Sequence, residues 1–437
     1  MDRKSVAVLG GGPAGLAVAK SLAGIEGLDV DLLEKNSRIG GLQHSVECEG
    51  LHFDIGTFLY FSSHGLLTAF PQIQPLFVPI RYAPTSVSPS GKMGPYEFTL
   101  RRFIDDNGLF VTALAGVDLL TSKFRCDRNK SASDYARYYM GNTLFQRSGL
   151  AHYIKRLHDV SGDDIDAKFA KERMIYLSKL SLRNMLRTKL KKLLPGRRAS
   201  APEKKQWLVR PPEGLVAIYD MILQDLRSNG VNVVLNSQLK SIRREGEKFV
   251  VQTDREKIYD RIVSTIPIPK MLELIGEKPG SNVETRSLIS LFYRGTIHKD
   301  ASILFNFSLE ASWKRITVFS RFYGPAENGD DYFTVEIATD DLTTENIERL
   351  KLEFETGATK FGICPATPRF LDSYISRDAY PVFRRGKLPG VELEKQRLAD
   401  FGIDFVGRQG NFEYQLSDWF AKRGTEKGKE LAGIFRR

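Results

Sequence analysis

Apolar residues fall into two rhythms along this chain, and the order of those rhythms predicts an α/β fold. Ser5 to Leu9 reads as a short strand, Ala14 to Leu22 as a helix and Leu28 to Leu33 as a second strand. The opening unit is therefore strand, helix, strand, the unit of a parallel sheet. Further on, Val231, Val233 and Leu235 alternate with polar residues, as a half-buried strand requires. From Leu288 to Thr339 the segments ILFNFSL, RITVFSRFY and DYFTVEIAT predict further strands. Between these regions, DYARYYMGNTLFQRSGLAHYIKRL repeats its aromatics at helical spacing, which makes Tyr135, Tyr139 and Phe145 core residues of a helical segment. No internal repeat or extended low-complexity tract interrupts the pattern.

The turn between the first strand and the helix carries Gly10, Gly12 and Gly15. In a strand-to-helix turn the first such glycine permits the tight backbone, the second lets the chain approach a pyrophosphate, and the third lets helix and strand pack closely. The second strand ends in Glu34, nineteen residues past Gly15, where a carboxylate accepts hydrogen bonds from an adenosine ribose. A dinucleotide site is the expectation.

After Glu34 the chain reads KNSRIGGLQHS, placing Arg38, Gly40 and Gly41 where a crossover helix would otherwise begin. This stretch, with FDIGTFLYF after it, resembles the second glycine motif of the amine oxidase, protoporphyrinogen oxidase and UDP-galactopyranose mutase group of flavoproteins. Three later segments resemble that group in order: WLVRPPEGLVAIYDMILQDL from Trp207, STIPIP from Ser264, and VGRQGNFEYQLSDWFAKRG from Val406. The resemblance implies a divided Rossmann-like FAD-binding domain of the GR2 type over residues 1–65, 206–268 and 395–437. A mainly helical insertion would occupy 66–205, and a mixed α+β substrate domain 269–394. It implies FAD as cofactor: Gly10, Gly12 and Gly15 at the pyrophosphate, Glu34 beside Lys35 at the adenosine ribose, and Arg38 at a phosphate or the ribose edge. Gly40, Gly41 and Gly56 would line the ribityl chain and ring. Gly407, Arg408 and the backbone near Asp418 would stabilise the flavin end.

Length and composition fit two interleaved domains: 437 residues, 42% hydrophobic. Cys48, Cys126 and Cys364 are far apart and form no CxxC pair, which argues against a disulfide framework or a zinc site and for a reducing, cytoplasmic setting. No metal is expected. The longest apolar stretch, Leu109 to Leu120, is broken by Thr112, Gly116 and Asp118 and is too short for a membrane span. The net charge of +11 concentrates between Arg183 and Lys205, where nine basic residues stand against one acidic. Leu177 to Leu194 places leucines opposite these cations, so residues 177–205 are either a solvated basic helix and linker or a peripheral contact with an anionic membrane's inner face or an anionic substrate. Basic residues without a reading platform do not support nucleic-acid binding.

A bound flavin relieves the protein of supplying a catalytic triad, and none is visible. His64 is nearest in sequence to the flavin loop that the resemblance implies, and His152, His158 and His298 are isolated; each reads as a structural or surface residue. The first reading is an FAD-dependent oxidoreductase that takes hydride from a small-molecule substrate, anionic or otherwise. The alternative is a sugar-nucleotide mutase, in which reduced flavin acts on the anomeric carbon of a nucleotide sugar. Tyr414 and Asp418, six and ten residues after Arg408, and Tyr380-Pro381 resemble the mutase pattern. Leu416 and Val335 depart from it, standing where mutases carry an acid and an arginine. Arg315 is either a substitute anion contact or an exposed strand arginine. Rab GDP-dissociation inhibitors share the architecture without catalysis, but Glu34, Arg38, Gly40, Gly41 and Arg408 are more than a binding scaffold needs.

Overall fold

The computed structural model describes residues 3–174, 177 and 206–436. Lys4–Leu9 forms the centre of a five-stranded parallel sheet in the order Val231–Val234, Leu28–Leu33, Lys4–Leu9, Arg261–Ser264, Ile403–Phe405. Val6, Val8, Leu9 and Leu32 are fully buried, which explains why these strands read as continuous apolar runs. The helix Pro13–Leu22 starts with proline at its first turn, where a missing N–H is harmless. Against it lies the helix Ser417–Phe435. A β-carbon on Gly424 would stand 2.3 Å from the Ala14 carbonyl oxygen, so the two helices pack almost backbone to backbone.

A second, seven-stranded sheet runs in the order Arg369–Val382, Glu284–Arg294, Tyr332–Ala338, Arg315–Val318, Ile303–Asn306, Thr85–Val87, Met93–Pro95. All its pairs are antiparallel except Thr85–Val87 with Ile303–Asn306. Residues 66–174 thus supply two strands to this sheet as well as the helices Leu100–Arg125, Ala132–Met140, Asn142–Arg147, Leu150–His158 and Ala167–Arg173. The strand expected over RITVFSRFY stops at Val318, and Ser320–Tyr323 turns into one helical turn. Asp331 pulls it there, accepting hydrogen bonds from the Ser320 hydroxyl and the Arg321 guanidinium, each at 2.7 Å.

Tyr135 and Phe145 are buried, with Tyr139 packed against their cluster. The leucine pattern over 178–194 and the basic segment 183–205 lie outside the described residues. Among the described residues no helix is long and apolar enough to cross a membrane. The three cysteines are free.

One buried ion pair ties the first glycine region to the rest. Asp54 and Arg210 have no exposed side-chain surface and meet at 2.5 Å. The guanidinium also donates to the carbonyls of His52, Pro211 and Pro212, and it lies 3.9 Å over the Tyr323 ring. Asp54 accepts from Ser45 and from the Tyr323 hydroxyl. Every nitrogen of the guanidinium and both oxygens of the carboxylate are engaged, the condition under which a buried ion pair is tolerated.

Candidate active site

A cavity of about 950 Å³ runs from the glycine turn to the second sheet. That is near the upper end of small-molecule sites, roughly 300–1,000 Å³. At one end stand Gly10, Gly12, Glu34, Lys35, Arg38 and Gly41; further along come Gly56, Gly407, Arg408 and Asp418; at the other end lie Arg315, Tyr380 and Tyr414. The structure therefore gathers thirteen of the fifteen residues singled out from sequence along one cavity. The other two, Gly15 and Gly40, shape its walls from behind. A β-carbon on Gly15 would lie 2.0 Å from the Gly10 carbonyl oxygen. One on Gly40 would meet the Gln43 carbonyl oxygen at 2.6 Å and the Tyr219 ring at 2.9 Å.

The glycine end has the chemistry of an anion cradle. The helix Pro13–Leu22 begins at Gly12 with no side-chain cap, leaving its amino end to the cavity. A β-carbon on Gly12 would meet nothing within 4 Å, so the backbone there borders open space. Glu34 is buried; its carboxylate accepts from the Gly11 N–H at 2.7 Å and from the Asn36 backbone and side-chain amides at 2.9 and 2.8 Å. Farther along, the helix Ser417–Phe435 also starts without a side-chain cap. The Asp418 carboxylate accepts from the Gly65 N–H at 2.7 Å and pairs with Lys422. Its side chain thereby joins two helices and leaves the helix backbone to the cavity. Arg408 is held by the carbonyls of Ala379 and Gln415, while its buried Nε has no partner. These features fit a bound dinucleotide: open space beside glycine, two uncapped helix ends and an orphaned cationic donor.

The opposite end is a chamber of tyrosines and cations. Tyr380 and Tyr414 rings lie 5.4 Å apart, and the Arg173 guanidinium sits 4.9 Å over Tyr414. Lys314 donates to the Tyr380 hydroxyl at 2.7 Å and pairs with Glu336 at 2.9 Å. Arg315 is not the exposed strand arginine of the second expectation: it grips both oxygens of Glu336, at 2.8 and 2.6 Å. Burial pushes the Glu336 carboxyl up, but Arg315 and Lys314 outweigh it and hold it down at about 2. Burial, reinforced by Glu336, pushes the Tyr380 hydroxyl up to about 12, and burial does the same for Tyr153 across the chamber. Both are therefore neutral hydrogen-bond donors at neutral pH. Val335 points into the core on the other face of its strand, and Leu416 is largely exposed.

Tyr153, Arg173, Lys314 and His44 line the cavity without having been singled out as site residues. Tyr153 lies within a helical aromatic pattern and Lys314 beside Arg315; nothing local marks the other two. His44 is buried with neither ring nitrogen partnered among the described residues, and burial followed by the Arg38 charge lowers it to about 4. His64, also on the cavity, is occupied structurally. One ring nitrogen accepts from the Leu66 N–H and the other meets Ser417 at 2.9 Å. Burial, only partly offset by Asp418, lowers it to about 4. Among the described residues no cluster of His, Cys, Asp or Glu is arranged to hold a metal.

Residues 8–72, the glycine turn through Glu34 and Gly56, match the model of the NAD(P)-binding Rossmann-like domain family. Beyond that domain the whole chain shares its fold with solved structures. A reduced UDP-galactopyranose mutase superposes with a TM-score of 0.78 at 18% identity, over 99% of this chain and 94% of that one. A putative protoporphyrinogen oxidase from Exiguobacterium sp. 255-15 superposes at 0.72 with 17% identity, over 99% and 100%. Sequence likeness to curated proteins is local: the 4,4'-diaponeurosporene oxygenase of Staphylococcus haemolyticus is 43% identical over 56 residues, 13% of this chain and 11% of that protein.

Proposed function

We propose that this chain is an FAD-dependent oxidoreductase that transfers hydride from a small anionic substrate to flavin. The observation that carries the proposal is the single cavity joining an uncapped helix end beside Glu34 to a chamber of neutral tyrosines and cations. When bound, FAD supplies hydride and electron transfer, which none of these side chains can perform. The amino end of Pro13–Leu22, shaped by Gly10, Gly12 and Gly15, holds the pyrophosphate, and Glu34 with Lys35 holds the adenosine ribose. Arg38 serves a phosphate or the ribose edge. Gly40, Gly41 and Gly56 keep side chains away from the ribityl chain and ring. Gly407, Arg408 and the backbone at Asp418 stabilise the flavin end, Arg408 through its unpartnered Nε.

In the chamber, Lys314 donates to the Tyr380 oxygen, so the tyrosine proton is free to point at substrate. Among the described residues Arg173 and Arg408 form no ion pair, although the Glu172 carboxylate stands nearby on the Tyr414 N–H, whereas Arg315 is matched by Glu336. This balance favours a substrate bearing phosphate or carboxylate.

A second reading is favoured by the same cations and by the likeness to the mutase fold: isomerisation of a nucleotide sugar, with Tyr380, Tyr414, Arg173 and Arg408 around the diphosphate. Val335 and Leu416 weigh against it. Absorbance spectra of purified protein, oxidised and dithionite-reduced, together with UDP-galactopyranose and UDP-galactofuranose interconversion, separate the readings. Flavin bands without interconversion in either state are expected. Turnover only after reduction selects the mutase; absence of flavin from protein reconstituted with FAD overturns both.

A further inference from the structure

Next to the anion chamber the cavity wall turns aromatic. Phe58, Tyr82, Trp207 and Phe305 all line it. Phe58 is buried, whereas the other three are only half-buried and keep ring surface uncovered. Tyr82 meets Trp207 edge to face at 5.6 Å. Behind them Phe322, which does not line the cavity, packs against Phe58 at 5.5 Å and against Tyr82 at 6.4 Å. Trp207 is held on the central strand of a small three-stranded sheet, Trp207–Val209, opposite both Phe61 and Ile80. Phe305 stands opposite Arg315 in the second sheet, and on an antiparallel pair two such side chains leave the same face. Arg315 lies 6.0 Å from the Phe58 ring, and its neighbour Lys314 donates to Tyr380. The aromatic wall and the anion chamber are thus contiguous.

We propose that the substrate carries a flat, unsaturated ring beside its anionic group, and that Phe58, Tyr82, Trp207 and Phe305 bind that ring while Arg173 and Arg408 hold the anion. The inference rests on the anionic substrate proposed above and narrows it. Half-covered rings in a cavity are apolar surface in contact with water, and a ligand ring that covers them removes apolar surface of both partners from water. Edge-to-face and offset-stacked ring pairs add a directional gain that an aliphatic body does not. A hexose is the poorer fit. Each of its hydroxyls gives up water on entering and needs a partner inside. Phe58 and Phe305 offer none, and Tyr82 and Trp207 offer one hydroxyl and one indole N–H. Arg315, the adjoining cation, is already engaged by Glu336.

The test uses full-length, FAD-loaded protein and probes that share one head group: inorganic phosphate, galactose 1-phosphate and 2-naphthyl phosphate. Isothermal titration calorimetry reads each affinity, and flavin content per chain checks that each variant folds. Naphthyl phosphate should bind more tightly than either other probe by roughly tenfold or more. Tyr82→Ala and Trp207→Leu should each reduce that advantage, whereas Arg173→Gln should weaken all the probes together. Naphthyl phosphate no tighter than inorganic phosphate, or galactose 1-phosphate as tight as naphthyl phosphate, overturns the ring inference and leaves the anionic substrate standing. An advantage that survives both Tyr82→Ala and Trp207→Leu puts the ring elsewhere and overturns it too. If no probe binds protein that holds FAD, the anion chamber itself is misread and both readings fall.

Discussion

Replacing Asp54 by alanine strands a guanidinium inside the protein. Arg210 is fully buried, its remaining bonds run to three carbonyl oxygens, and Asp54 is its only ion-pair partner among the described residues. Leaving such a charge uncompensated costs about 3–5 kcal/mol. The hydroxyls of Ser45 and Tyr323 lose an acceptor at the same time, at ~1 kcal/mol each. That is a large part of the total stability of a folded protein, about 5–15 kcal/mol. Equilibrium urea unfolding followed by tryptophan fluorescence reads the change, since Trp207 lies three residues from Arg210. Asp54→Asn keeps one acceptor oxygen, enough for Arg210 and Ser45 but not for Tyr323 as well, and should fall between wild type and alanine. In the double variant Asp54→Ala/Arg210→Met the stranded charge is gone, so it should be more stable than Asp54→Ala alone by over ~1 kcal/mol. A loss under ~1 kcal/mol for Asp54→Ala, the size of an exposed pair, would refute the reasoning, as would a double variant no better than the single.

Glu34→Ala should weaken FAD binding by at least tenfold, since a charge-assisted hydrogen bond contributes about 1.5–3 kcal/mol, and flavin content after dialysis measures it. Gly15→Ala drives a β-carbon into the Gly10 carbonyl, so it should abolish flavin incorporation and lower the thermal midpoint by several degrees. Stability should fall in acid in two windows. His44 and His64, lowered to about 4 mainly by burial, and His158, lowered to about 3 by burial and then Arg286 and Arg384, favour the folded state above their ordinary value of 6.5. That stability declines as pH falls from 6.5 toward 4, and His158→Gln should shallow the slope by about 1.4 kcal/mol per pH unit. Glu336 adds a lower window: its contribution of about 3 kcal/mol is full above 4.5 and is lost as pH falls toward 2. Denaturant midpoints across the pH series, with Glu336→Gln for comparison, check both.

Much of the glycine end of the cavity was legible because its signals are local. A strand, three glycines, a helix and Glu34 lie within thirty residues, and each residue type has a backbone reason to be there. The chamber was half legible. Tyr380 and Tyr414 stood out through a resemblance, but Arg173 is brought to Tyr414 only by the packing of Ala167–Arg173 on a distant turn. Arg210 lies in a proline-rich stretch that reads as loop; its burial depends on Asp54, 156 residues earlier. The long strand Arg369–Val382 escaped because its polar and apolar residues do not alternate cleanly, and register shifts interrupt its pairing with Glu284–Arg294. Asp118 seemed to interrupt the apolar stretch around it. On the helix Leu100–Arg125 it faces the protein and accepts the Thr143 N–H, and the stretch is unbroken on the outer side.

The parallel sheet has a consequence for how the protein is made. Its central strand ends at Leu9, yet the edge strand Ile403–Phe405 and the helix that packs on Pro13–Leu22 come at the far end of the chain. At about 5–20 residues per second, a ribosome needs roughly 20–80 s to deliver the last pieces after the first strand has emerged. During that interval the face of Pro13–Leu22 that Ser417–Phe435 later covers stays open, and once Arg261–Ser264 has joined the sheet its outer edge waits for Ile403–Phe405, so synthesis exposes both to aggregation. The glycine cradle, although its turn is formed by residues 10–15, closes only after Ser417–Phe435 has packed on Pro13–Leu22.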